Sequence, residues 1–273
     1  MRPLSYLKTK IVPAGIRPLT ILYGPFRQIT LELSLQTEMQ MYLGLFEKEI
    51  HSWIEALTCN IATAIDAGAA YGEYTVFFLM KTNADAVYAF EPGTDLHARL
   101  RNNLQLNSLG GSNRLKLFSH CLGSTASEGV MSLDSLLPEI SFPCFIKVDV
   151  DGEEEEILKG AECLNQRQGV RWLIETHSHN LEIACETQLR RANFKTVIIP
   201  NAWWRAVLPE LRPVRHNRWL AAWNDDAMQR HGSISDVYRT FADDYDHPGA
   251  KLCSSISANL GKPFGNNPVN SLS

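Results

Sequence analysis

At 273 residues the chain has room for one large α/β domain with appendages or for two small domains. A hydrophobic share of 45% and a charged share of 21% describe an ordinary globular protein. The formal net charge of −4 argues against nucleic acid as a partner, since that role calls for a basic face. No run approaches the roughly eighteen apolar residues of a membrane span.

The N-terminus, MRPLSYLKTKIVPAGIRPL, carries four Lys/Arg but lacks the apolar core of a secretion signal, and reads as a solvated arm. The six cysteines include no C-x-x-C pair, and several lie in apolar runs. Reduced core cysteines in a cytoplasmic protein are therefore expected. Residues 20–35 read as two short strands around Gly24-Pro25. Met39 to Leu57 carries Met39, Leu43, Phe46, Ile50, Trp53, Ile54 and Leu57 at helical spacing, which predicts one amphipathic helix. Residues 1–57 thus form a leader. Three uses are open to it: covering the sheet edge, closing over a ligand, or building an interface.

From Ile61 the pattern becomes strand, helix, strand, helix. Strands are predicted at Ala62 to Asp66, Ala86 to Glu91, Leu115 to Ser119, Cys144 to Asp149, Arg171 to Thr176, Lys195 to Ile199 and Arg218 to Trp223. Helices are predicted from Tyr74 to Lys81, from a Thr94 or Asp95 cap to about Leu106, after Gly152, and from Leu181 to Ala192. Apolar strands alternating with helices predict an α/β fold with a parallel sheet covered on both faces. Residues 58–225 form this domain, and residues 226–273 form a C-terminal extension, partly mobile.

The stretch IATAIDAGAAYGEYTVFF stops a strand at Asp66, turns through Gly68 and Gly72, and starts a helix within a few residues. Such a turn aims free N–H groups and a positive dipole end at a ligand above the sheet. Asp66, Glu91, Asp149 and Glu175 each close a strand, where ligands of open α/β sheets bind. Glu91 lies 25 residues past Asp66, placed to accept two hydrogen bonds from a ribose diol. The G-x-x-x-G spacing departs from the G-x-G-x-x-G of dinucleotide sites. It is compatible with NAD and suits S-adenosylmethionine better.

Three motifs, AIDAGAAYGEYT (Ala64 to Thr75), AFEPGTDLHARLRNNLQLN (Ala89 to Asn107) and IKVDVDGEEEEILKGA (Ile146 to Ala161), carry a family likeness. Together they resemble the FkbM family of S-adenosylmethionine-dependent methyltransferases, over about Glu38 to Trp223. That resemblance implies a Rossmann-like, seven-stranded methyltransferase fold with an antiparallel last strand. It also implies O-methylation of a hydroxyl on a glycan or small natural product. Around the cofactor it places Asp66, Gly68, Ala69, Tyr71, Gly72, Glu91, Pro92, Cys121 and Asp149, with the adenine near His120-Cys121-Leu122. Two positions depart from the family pattern: Ala70 stands where the family has Asn, and Asp151 where it has Glu.

Methyl transfer to a hydroxyl needs in-line positioning and a group to take the acceptor proton. Candidates at the fourth and fifth strand ends are Lys147, Asp149, Asp151, Glu175, His177 and His179, with Asp149, Glu175 and His177 foremost. Glu175 and His177 are two apart on a strand and share a face. Asp149 with Glu175 or His177 is also a candidate ligand set for Mg²⁺, as in catechol-type O-methyltransferases. Glu153 to Glu156 open a helix and read as its solvated, dipole-compensating start, except Glu154, which matches a family glutamate. Trp203, Trp204 and Arg205 read either as a stacking platform for the acceptor or as core. Two rival readings remain: an NAD(P)-dependent oxidoreductase on the same fold, and a non-catalytic cofactor-binding or scaffold protein.

Overall fold

A computed structural model describes residue 12, residues 14–201 and residues 217–225. Residues 1–11 and 13 of the basic arm, Cys253, Trp203, Trp204, Arg205 and the C-terminal extension lie outside the described residues, while Ile16 to Leu19 of the arm lie in a strand. Seven strands form one sheet: β3 (Thr63–Ala67), β4 (Ala86–Phe90), β5 (Leu115–Phe118), β8 (Cys144–Val148), β9 (Val170–Thr176), β10 (Lys195–Ile199) and β11 (Arg218–Trp223). Their order is β10-β11-β9-β8-β3-β4-β5. β3 pairs parallel with β4 and β8, and β8 with β9, while β11 runs antiparallel to both β9 and β10. A short parallel pair, β6 (Cys121–Leu122) and β7 (Val130–Met131), stands apart from it.

The central strands are apolar because both sheet faces are covered. Every residue of β3, β8 and β9 is buried, and Ile65, Ile146, Val148, Trp172 and Ile174 join one core with Leu158 and Leu189. The covering helices are α3 (Glu73–Lys81), α4 (Leu96–Leu106), α5 (Glu154–Lys159) and α6 (His179–Arg191). Among the described residues no helix is long and apolar enough to cross a membrane. Of the five described cysteines, all free thiols, Cys144 and Cys185 are buried. Cys121 and Cys163 are exposed, contrary to a general core placement.

The leader departs from its prediction. Its hairpin pairs β1 (Ile16–Thr20) with β2 (Thr30–Ser34), so the first strand ends at residue 20 and residues 21–29 are the connection. The single helix is broken into α1 (Met39–Tyr42), a 3₁₀ turn at Lys48–Ile50 and α2 (His51–Leu57). Gly44 breaks it at φ 66°, where a Cβ would lie 2.1 Å from the Tyr23 carbonyl oxygen, and Glu47 is left-handed at φ 48°. Asparagines in and just after α4 hold β2 as a neighbouring strand would: Asn107 both accepts from Thr30 N and donates to its carbonyl, and Asn103 accepts from Glu32 N.

Candidate functional site

The site grows from the turn between β3 and α3. Gly68 and Gly72 take φ of 81° and 82°, a region that L side chains rarely enter. A Cβ on Gly68 would lie 1.9 Å from the Asp149 carbonyl oxygen, so glycine lets the turn press against the end of β8. The Gly68 and Ala69 amides donate to the Phe90 carbonyl, which ties the turn to the tip of β4. Glu91, one residue beyond that tip, completes the lock. One carboxylate oxygen accepts from Ala70 N at 2.8 Å and the other from Gly93 N at 2.7 Å. Glu91 thus organises both backbone loops. Each oxygen keeps a further lone pair for another donor.

Beneath the turn lies a buried charge cluster centred on Lys147. Its ammonium is 3.3 Å from Asp149 Oδ2, 3.9 Å from Asp66 Oδ1 and 4.5 Å from the centre of the Tyr74 ring. Burial would lower the Lys147 pKa, but Asp149, Asp66, Glu47 and Glu73 together hold it raised. Burial lifts Asp66 to about 6, although Lys147 and the Thr75 hydroxyl, 2.6 Å from its Oδ2, pull the other way. Burial likewise lifts Glu73 to about 7, again against Lys147. The leader enters here: buried Glu47 accepts the Tyr74 hydroxyl hydrogen. Asp66 Oδ1 and Glu73 Oε2 are closed to solvent and have no hydrogen-bond partner.

Asp149 joins this cluster to a second one at the tips of β8 and β9. Its Oδ2 faces Lys147, while its Oδ1 lies 3.8 Å from His177 Nε2. Burial would raise Asp149, but Lys147, a hydrogen bond with Glu175 and the His177 charge outweigh it and leave the pKa at about 2. His177 Nε2 is 4.0 Å from Glu175 Oε2 and 3.8 Å from Asp151 Oδ1, and Nδ1 bonds to Glu154. That bond raises the His177 pKa more than burial lowers it. Glu175 and His177 do share a face, as their spacing predicts.

The remaining predicted residues fall as follows. Ala69 is buried within the turn, and Tyr71 is half-buried with Arg99 stacked 3.7 Å from its ring centre. Pro92 is exposed beside Glu91, and Cys121 is exposed in β6, while its neighbour Leu122 is core. His179 is removed from the cluster: it opens α6, is 66% exposed and pairs with Glu182. Glu47, Glu73 and Asn103 were not singled out from sequence. A polar cavity of about 930 Å³, lined by Asn165, Gln188 and Trp223, opens at the far end of β9 and β11 from Glu175.

No protein-family model matches the chain, and no curated protein does. The chain is similar to methyltransferases of known structure. With methyltransferase FkbM from Methylobacillus flagellatus it shares 18% identity over 59% of this chain and 43% of that chain, at a TM-score of 0.47. It thus spans less than half the length of that protein. With an O-methyltransferase from Thermotoga maritima it shares 18% identity over 63% of each chain, at a TM-score of 0.42. With an rRNA methylase from Streptococcus thermophilus it shares 14% identity over 64% of this chain and 94% of that chain, at a TM-score of 0.44.

Proposed function

We propose that the chain is an S-adenosylmethionine-dependent methyltransferase that methylates a hydroxyl of a glycan or small natural product. One observation carries this reading: the left-handed Gly68–Gly72 turn is bonded to Glu91 at the neighbouring strand tip, beside an acid–histidine cluster. The residues fit the cofactor's parts. Glu91 retains acceptor capacity for a ribose diol. Gly68 and Gly72 hold the turn close against β8 and α4, and the turn's backbone would carry the methionine portion.

The cofactor's sulfonium is an already activated methyl donor, so the protein's task is placement and proton removal. The turn and Glu91 place the donor. Asp149, held ionised beside Lys147, extends the site toward β9. Glu175 and His177 stand there to orient the acceptor hydroxyl, and His177 in its neutral form would receive its proton.

Isothermal titration with S-adenosylhomocysteine and with NADH tests the choice of cofactor. Tighter binding of S-adenosylhomocysteine is expected. Tighter binding of NADH would establish the oxidoreductase reading instead. A cofactor-binding chain that methylates nothing in a broad hydroxyl panel would be a scaffold.

A further inference from the structure

The tips of β8 and β9 bring one imidazole and two carboxylates to a single point. One ligand atom each from Asp149, Glu175 and His177 lies within 4.8 Å of the other two. His177 Nε2 is 3.8 Å from Asp149 Oδ1 and 4.0 Å from Glu175 Oε2. Donors held about 2.1 Å from one ion stand about 3.4 Å apart at tetrahedral angles and about 4.2 Å apart when opposite. The two ring-to-carboxylate separations fall between those limits, so small side-chain rotations gather these atoms around one centre.

The imidazole is already aimed. Glu154 is fully buried and bonds to Nδ1, which leaves Nε2 turned toward the carboxylates. A carboxylate behind the ring is the usual support of a metal-bound histidine. Glu154 Oε2 is also shut from water and has no hydrogen-bond partner, so among the described residues this carboxylate bonds only to the ring. Asp149 is oriented too, with Oδ2 turned to Lys147 and Oδ1 to the ring.

We propose that Asp149, Glu175 and His177 bind a divalent first-row transition ion, with Mn²⁺ preferred over Mg²⁺. Oxygen donors alone suit Mg²⁺, and the imidazole moves the preference toward a softer ion. The site stands on its own geometry. Its use rests on the methyltransferase reading, since a divalent ion lowers the cost of deprotonating a hydroxyl presented to it.

The test is titration of the chelator-stripped full chain with Mn²⁺, followed by the electron paramagnetic resonance signal of free Mn²⁺. One ion per chain is expected, bound at least tenfold more tightly than Mg²⁺ in competition. His177→Ala should weaken uptake at least tenfold and Glu154→Gln roughly tenfold, as expected for removing a ligand and its support. Lys159→Ala, on the exposed side of α5, should leave uptake unchanged. Absence of saturable Mn²⁺ uptake by the folded wild-type chain overturns the proposal, as does uptake that survives His177→Ala unchanged. Titrating the same stripped protein with S-adenosylhomocysteine separates the two readings, because either ligand can bind where the other fails.

Discussion

Asn103 donates from Nδ2 to the Tyr71 carbonyl at 2.7 Å, and so fastens α4 to the Gly68–Gly72 turn. The same side chain accepts from Glu32 N at 2.7 Å, which continues the link into the leader hairpin. Arg99 runs beside it, stacked on the Tyr71 ring and paired with Glu38 at 2.6 Å. Asn103→Ala leaves the Tyr71 carbonyl and the Glu32 amide without their partner. At about 1–3 kcal/mol per unsatisfied group, and with both bonds only partly buried, a stability loss at the low end, roughly 2–3 kcal/mol, is expected. Denaturant unfolding measures it, and S-adenosylhomocysteine affinity should fall in parallel. Unchanged values for both would remove the leader from the site's support.

Ala70 takes φ 43°, a left-handed conformation that asparagine tolerates better than alanine. The Asn that the FkbM pattern carries at the matching position therefore has a backbone reason as well as any polar contact. Ala70→Asn should raise stability by about 0.5–1 kcal/mol, provided the Ala70 N bond to Glu91 persists. A shift of the unfolding midpoint to higher denaturant checks this. A lower midpoint would show that the side chain meets an obstacle in the turn.

Glu91→Ala removes acceptors for two backbone amides as well as the proposed diol contact. Cofactor affinity should drop by roughly 1–3 kcal/mol, and hydrogen exchange should speed up at Ala70 and Gly93. Faster exchange with unchanged affinity would leave Glu91 as a loop organiser only.

Glu73 sets a pH dependence whose sign follows from its environment. Its folded pKa of about 7 lies above the ordinary 4.5, so between those values the folded chain holds the proton more often than the unfolded one. Stability from this group therefore falls as pH rises from about 4.5 to about 7. Glu73→Gln removes that term, and its advantage over wild type should grow between pH 5 and pH 8 in denaturant melts. Parallel pH profiles would place the proton elsewhere in the cluster.

The sheet was legible because its signals are local. β10 and β11 have the predicted bounds, and the strand-end acids stand at or just beyond strand tips, as apolar runs ending in Asp or Glu imply. The leader was misread because an apolar period of helical spacing persists across Gly44 and Glu47, whose left-handed backbones break the helix. Glu47 and Glu154 gain their roles from partners 27 and 23 residues away, Tyr74 and His177. No local pattern encodes such pairings. Asn103 and Asn107 stood within a recognised motif, yet their work on β2 emerges only when the hairpin is packed on α4.

A crystal structure of the chain soaked with S-adenosylhomocysteine tests the central claim most directly. The nucleoside is expected across the tips of β3 and β4, its ribose hydroxyls within hydrogen-bond distance of Glu91 and its methionine portion over Gly68 and Gly72. Density for the ligand at any other place on the sheet would contradict it.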